Sequence, residues 1–333
     1  MTLLVLSSFT FNIILSHNSN SKISSDFHNE RRIRNAVRRF SPYIYTSGSE
    51  TSYPTSLENL KINWGRDLKN SYSSHISFNY NEGNLLNQDT PIYVKVHAKK
   101  NGDYLLTYSF IFANKECGSF MKIKAKGKKG KKAINVNLTE NLCPIGKSNG
   151  GIEHIQIILS RNYQFKKTIY SYHGFKKTYL KNEISWYNTH PTAYMAKGTH
   201  GMYTKTGKNY FISSSCKTCK IPVKVKFYDV TAKERLFKGK PKIIASNALK
   251  INQNSLTEDE KKILHFNGRF GEKIQNNNWL DLEEKLVNKL NSLFRICSKS
   301  EKFIRKILNK ARLHEGKNEK HNRIFMEEKE RNK

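Results

Sequence analysis

Gly150-Gly151-Ile152-Glu153-His154-Ile155-Gln156-Ile157-Ile158-Leu159 begins the stretch that decides the fold. It ends at His190-Pro191-Thr192-Ala193-Tyr194-Met195-Ala196-Lys197-Gly198-Thr199-His200-Gly201-Met202-Tyr203. The first run reads as a buried strand and Tyr194 to Ala196 as a short second one, each bounded by Gly or Pro, the usual punctuation of β-structure. Glu153, His154, His173, His190 and His200 lie within this span. A carboxylate and four imidazoles so close in sequence suit a metal or acid–base site. They equally suit strand ends whose histidines satisfy backbone groups in a hairpin-rich core, because the spacing lacks the regularity of an HExxH motif.

Other strands flank this stretch. Phe40 to Thr46 reads as a strand, 49–56 as a turn, and Leu57 to Leu60 as the start of a short helix. Pro91 to His97 alternates as a half-buried strand does. Asn101-Gly102-Asp103 predicts a hairpin turn. Tyr104 to Phe112 is apolar on both faces and is expected at the centre of a sheet. Ile221 to Phe227 is a further alternating strand, and 265–271 reads as a glycine-bounded turn. From Trp279 the period becomes helical: Leu280, Leu282, Leu286, Leu290, Leu293 and Phe294, then Ile304, Ile307 and Leu308, with Lys and Arg between them. The expected fold is mainly β, a predominantly antiparallel sandwich with a basic helical tail. That tail would lie on a membrane, bind a partner groove or pack on the sheet. Residues 315–333 are too polar to bury much and are expected to be disordered.

The chain of 333 residues carries 59 Lys plus Arg against 27 Asp plus Glu, a formal net charge of +32. Such an excess attracts polyanions: anionic lipid, acidic glycans or nucleic acid. A Lys-rich chain can also simply use Lys as its default surface residue. Lys predominates over Arg, which is the residue suited to bidentate phosphate recognition. The densest run is Lys122-Ile123-Lys124-Ala125-Lys126-Gly127-Lys128-Lys129-Gly130-Lys131-Lys132. Lys122, Lys124 and Lys126 would line one strand face, whereas Lys128, Lys129, Lys131 and Lys132 are expected in a mobile loop. The run reads either as a contact for an anionic surface, where each lysine adds about 1 kcal/mol, or as a solvated insertion. It contains no interleaved aromatics, so stacking on single strands is not expected, and any nucleic-acid contact would not be sequence-specific. Neither a phosphate-binding glycine loop nor a GxSxG nucleophile motif is present. No catalytic residue is assigned.

Five cysteines, Cys117, Cys143, Cys216, Cys219 and Cys297, leave at least one unpaired in a monomer. Cys216-Lys217-Thr218-Cys219 is a lone CxxC that reads as half a zinc site, a redox pair or a hairpin tip, and with no second CxxC structural zinc is not expected. In a secreted protein, Cys216 or Cys219 would bond Cys117 or Cys143. Residues 1–16 are apolar and uncharged, too short to span a membrane but suited to a cleaved secretory signal. Asn137-Leu138-Thr139 would then accept an N-linked glycan at Asn137. Residues 17–37 read as a basic polar linker, 38–272 as the β-sandwich domain and 273–333 as the tail.

Several of these segments, in order, resemble the vacuolar protein sorting-associated protein 62 family. Phe40 to Ser56 is similar to that family's opening strand and acidic-aromatic-Pro-Ser turn, and Tyr104 to Phe112 to its aromatic central strand. Gly150 to Ile158 resembles its Gly-Asp-Trp-Glu-His strand, and His190 to Tyr203 its Pro-x-x-Tyr-x-Ala-x-Gly-Ser-His-x-x-Tyr segment. Tyr228 to Thr231 and Asn267 to Gly271 resemble its Asp-x-Thr and Gly-Arg-Trp-Gly segments. The necrosis- and ethylene-inducing-like proteins carry a related Gly-His-Arg-His-Asp-Trp-Glu motif that binds a divalent cation at the end of a sandwich. By that similarity Glu153 is the one surviving ligand-type residue for Mg²⁺ or Ca²⁺, with His200 of the second segment nearby and His154 beside it as a further candidate. This chain has Gly151-Ile152 where the family has Asp-Trp, and Ser148 where a histidine stands, so one hard oxygen ligand and one imidazole are missing. No other cofactor is implied.

The function expected from residues and resemblance together is non-catalytic. It is a secreted or endomembrane, vacuolar-type β-sandwich protein that binds an anionic lipid membrane or another polyanion through Lys122, Lys124, Lys126, Lys128, Lys129, Lys131, Lys132 and the tail. One rival is a secreted cytolysin or effector with the cation site. Another is a hydrolase using Glu153 as general base and His200 as its orienter.

Overall fold

The computed structural model describes residues 28–64, 75–79, 86–116, 118–129, 132–142, 150–216, 219, 222–265, 269–270, 283–285, 287–288 and 301–309. The expectations for 1–16, Lys131, Cys117, Cys143 and Cys297 lie outside the described residues. So do the polar end of the tail and the first half of the amphipathic pattern.

The described chain is mainly β, as its alternating patterns require. Its principal sheet has six strands: β10 (Phe175–Tyr179), β9 (Phe165–Tyr172), β8 (Gly151–Leu159), β5 (Tyr104–Phe112), β4 (Pro91–Ala98) and β17 (Lys240–Ser246), in that order. The doubly apolar β5 lies between β8 and β4. Its even-numbered side chains Leu106, Tyr108, Phe110 and Phe112 face the main core beside Ile157 and Ile155 of β8. The hairpin at Gly102 is closed by the Lys99 N–H donating to Asp103 O at 2.8 Å and the Gly102 N–H to Lys99 O at 2.9 Å. Gly102 takes a φ of 83°, which a side chain would strain.

A second sheet packs over that core. It runs β11 (Trp186–Tyr187), β12 (His190–Met195), β1 (Tyr43–Thr46), β16 (Arg235–Phe237), with β13 (Met202–Tyr203) also on β12. Ile44, Ala193, Met195, Met202 and Phe237 close the sandwich from this side. Pairing is predominantly antiparallel, with β1–β12 and β4–β17 parallel. A small sheet, β18 (Arg269–Phe270), β3 (His75–Asn79) and β2 (Lys61–Trp64), completes this part.

Residues 28–39 are not a polar linker. They form helix α1, which buries Ile33, Ala36 and Val37, followed by Phe40, in the main core. These positions repeat at three and four residues, so the arginines between them fall on the outer side. The Tyr108 hydroxyl donates to Val37 O at 2.8 Å and satisfies an end carbonyl. Pro42 then stops the helix.

The fourth sheet runs β14 (Gly207–Cys216), β15 (Val223–Thr231), β6 (Ser119–Lys129) and β7 (Lys132–Asn141). One face carries Met121, Ile123, Ala125, Ile212, Val223, Val225 and Phe227. The helix of residues 301–309 covers it with Ile304, Ile307 and Leu308. The apolar side of this part of the tail is therefore occupied by the protein's own sheet, the third of the fates open to it. Lys128, Lys129 and Lys132 also depart from expectation. They belong to the β6–β7 ladder, where Lys129 pairs with Lys132, because the alternation begun at Lys122 continues through Gly127. The cysteine pairing differs too: Cys216 is bonded to Cys219 across the β14–β15 hairpin rather than to Cys117 or Cys143.

Candidate functional site

Most of the candidate site residues of the Gly150 to Tyr203 stretch are engaged by the fold itself, although both buried ring nitrogens of His200 lack a hydrogen-bond partner among the described residues. Glu153 and His154 are neighbours on β8, so their side chains leave the sheet on opposite faces. Glu153 forms an ion pair with Lys115. His154 Nδ1 lies 3.0 Å from Ser109 Oγ, its cross-strand partner on β5. His190 Nδ1 donates to Ser41 O at 2.9 Å, and its ring stacks on Tyr43 with centroids 4.0 Å apart. His200 is fully buried against Phe112, centroids 4.0 Å apart. Its Nε2 lies 3.7 Å from Glu50 Oε1. The proposed metal ligands Glu153, His154 and His200 thus hold three different sets of neighbours. Among the described residues no group of three or more His, Cys, Asp or Glu side chains is placed to hold a metal ion.

Two carboxylates that sequence reading passed over organise this end of the molecule. Asp229, fully buried on β15, accepts from Ser119 Oγ at 2.6 Å through Oδ1. Its Oδ2 accepts from His173 Nε2 at 2.7 Å, Tyr203 OH at 2.9 Å and Thr199 Oγ1 at 3.0 Å. Burial acts to raise its pKa, but His173 and the hydroxyl donors hold it below the ordinary aspartate value. Glu50 accepts from the backbone N–H groups of Thr51 and Ser52, both at 3.0 Å, and of Gly198 at 2.9 Å. It too stays below its usual value despite burial, because of the His200 ring and those N–H groups. His173 and His200 sit at φ values of 45° and 61°, a left-handed conformation that costs non-glycine residues about 1–3 kcal/mol. The contacts to Asp229 and Glu50 offset that cost. Gly118 lets β6 enter against this junction, where a Cβ would stand 1.8 Å from Lys197 O. The junction ties three sheets together and leaves no described donor pair aimed at an outside molecule. The only sequence signal for it was the Asp-x-Thr of 229–231, whose partners are distant in the chain.

The other face of the β14–β15–β6–β7 sheet is different. Lys122, Lys124 and Lys126 project from β6 on the side opposite Met121, Ile123 and Ala125, as their alternation predicts. β15 adds two more lysines, because Lys224 pairs directly with Lys124 and Lys226 with Lys122. Flanking them are Ser213 and Ser215 on β14, and Asn135, Asn137 and Thr139 on β7. Among the described residues no carboxylate occupies a register position on this face. Like charges directly opposite each other destabilise an antiparallel pair. At one end the rings of Phe120 and Tyr228 stack at 5.5 Å, and Tyr210 lies 5.4 Å from Tyr228. Lys226 Nζ stands 4.3 Å from the Tyr210 centroid and Lys208 Nζ 5.3 Å from that of Tyr228. Sequence reading found the β6 half of this face. The β15 half was legible as an alternating strand but not as the partner of Lys122 and Lys124.

No family model, curated protein or solved structure matches the chain. Among the described residues no helix is long and apolar enough to cross a membrane.

Proposed function

We propose that the chain is a non-catalytic β-sandwich protein that docks on phosphate-bearing polyanions through the outer face of the β14–β15–β6–β7 sheet. The observation that carries this reading is the direct opposition of Lys124 with Lys224 and of Lys122 with Lys226, with no carboxylate among the described residues at a register position on the face. Such an arrangement costs stability in the free protein and is relieved by a bound anion. The overall charge of +32 adds long-range attraction. Membership of the vacuolar protein sorting-associated protein 62 family and a secreted or endomembrane location belong to the same proposal, the first resting on the ordered motifs and the second on them and on the apolar residues 1–16. Asn137 lies in register with Lys124, and its side chain is exposed. An N-linked glycan there would stand among the lysines and block docking.

Inorganic polyphosphate is the simplest probe. A variant with Lys122, Lys124, Lys224 and Lys226 changed to Ser should bind it far more weakly than wild type. A control variant with four exposed lysines elsewhere, Lys100, Lys233, Lys238 and Lys250, changed to Ser should bind nearly as wild type does. Equal losses in the two variants would reduce the effect to net charge and overturn the assignment of the face.

A further inference from the structure

Resting on the polyanion-docking reading, we propose that the polyanion is single-stranded nucleic acid, bound without sequence preference. The basic run by itself has no interleaved aromatics, but the sheet register supplies them from other strands. Tyr210 of β14, Tyr228 of β15 and Phe120 of β6 form one ring cluster on the lysine face. Tyr228 is buried between its neighbours, whereas Tyr210 remains 44% exposed. Lys226 Nζ stands over one face of the Tyr210 ring, 4.3 Å from its centroid, and a base stacking on this half-exposed tyrosine would place its phosphate beside that ammonium group.

The remainder of the face suits the backbone of such a strand. Lys122, Lys124 and Lys126 recur every second residue along β6, about 6.8 Å apart for an extended strand. Lys224 and Lys226 form a parallel row one strand away, about 4.8 Å across. A flexible phosphate chain can follow either row. The hydroxyls of Ser213, Ser215 and Thr139 and the amides of Asn135 and Asn137 border both rows. They can hydrogen-bond to sugars, phosphates or base edges, and acyl chains offer them nothing. A lipid bilayer would instead favour apolar side chains at the centre of the patch, where this face carries hydroxyls and amides. All contacts come from phosphate charge and from ring faces common to every base, so no preference for sequence is expected.

The test uses the full-length protein and three probes: a fluorescein-labelled thymidine oligonucleotide, an abasic oligonucleotide of the same length, and phosphatidylserine vesicles at equal phosphate. The thymidine oligonucleotide should bind most tightly. Tyr210→Ala should weaken that binding at least about fivefold while leaving the abasic strand unaffected, and Tyr210→Trp should retain it. Equal affinity for thymidine and abasic strands, with Tyr210→Ala neutral, would overturn the inference and leave polyanion docking standing. Tighter binding to vesicles than to the oligonucleotide would overturn it in favour of a membrane. Failure to bind any of the three would remove the polyanion reading as well.

Discussion

The Gly150 to Tyr203 stretch and the β6–β15 face are both rich in ionisable side chains, but the fold uses them in opposite ways. In the first, Glu153 meets Lys115, His173 meets Asp229, and His200 lies between Phe112 and Glu50. The carboxylates are compensated inside the protein, whereas the buried His200 ring stacks on Phe112 without a hydrogen-bond partner for either nitrogen among the described residues. In the second, lysine faces lysine across a strand pair, and apart from the Tyr210 ring under Lys226 the compensation has to come from outside. Crowding of ionisable groups in sequence is therefore a poor guide to a binding site. A charge left uncompensated by its neighbours in the fold is a better one.

Breaking the first region should have the largest effect on the fold. Asp229→Ala leaves the buried donors of Ser119, His173, Thr199 and Tyr203 without an acceptor. It should destabilise the protein by about 3–5 kcal/mol, measured by denaturant unfolding with far-UV circular dichroism. A loss below about 1 kcal/mol would show that the junction is not an anchor.

Acid should separate the regions next, with a smaller effect. Asp229 and Glu50 both have pKa values lowered in the folded state. Their contribution is complete above the unfolded carboxylate values and disappears as pH falls through the lower folded ones. The part of the unfolding free energy that these two carboxylates supply should thus drop below about pH 4. In Glu50→Gln the drop should be shallower. An equally steep drop in that variant would place the acid sensitivity elsewhere.

Much of the fold was legible in local pattern. The doubly apolar 104–112 marked the centre of the principal sheet, and Lys122, Lys124 and Lys126 announced a one-sided strand. Helix α1 was obscured because its core-facing Ile33, Ala36 and Val37 sit among five arginines, which give the segment a polar average. What the sequence could not display is register. Lys224 meets Lys124, Tyr210 meets Tyr228, and His173 meets Asp229 only through pairings between distant strands. The histidine stretch invited a site because local spacing was visible there, while the residues that satisfy it, Glu50, Lys115 and Asp229, lay elsewhere in the chain.

Thermal unfolding with and without inorganic polyphosphate tests the central claim most directly, because it reads the cost of the opposed lysines and its relief together. Wild type should melt at a higher temperature when polyphosphate is present. The variant with Lys122, Lys124, Lys224 and Lys226 changed to Ser should melt higher than wild type in its absence and shift little on its addition. A wild type that polyphosphate leaves unmoved, or a variant that shifts as far as wild type does, would contradict the account.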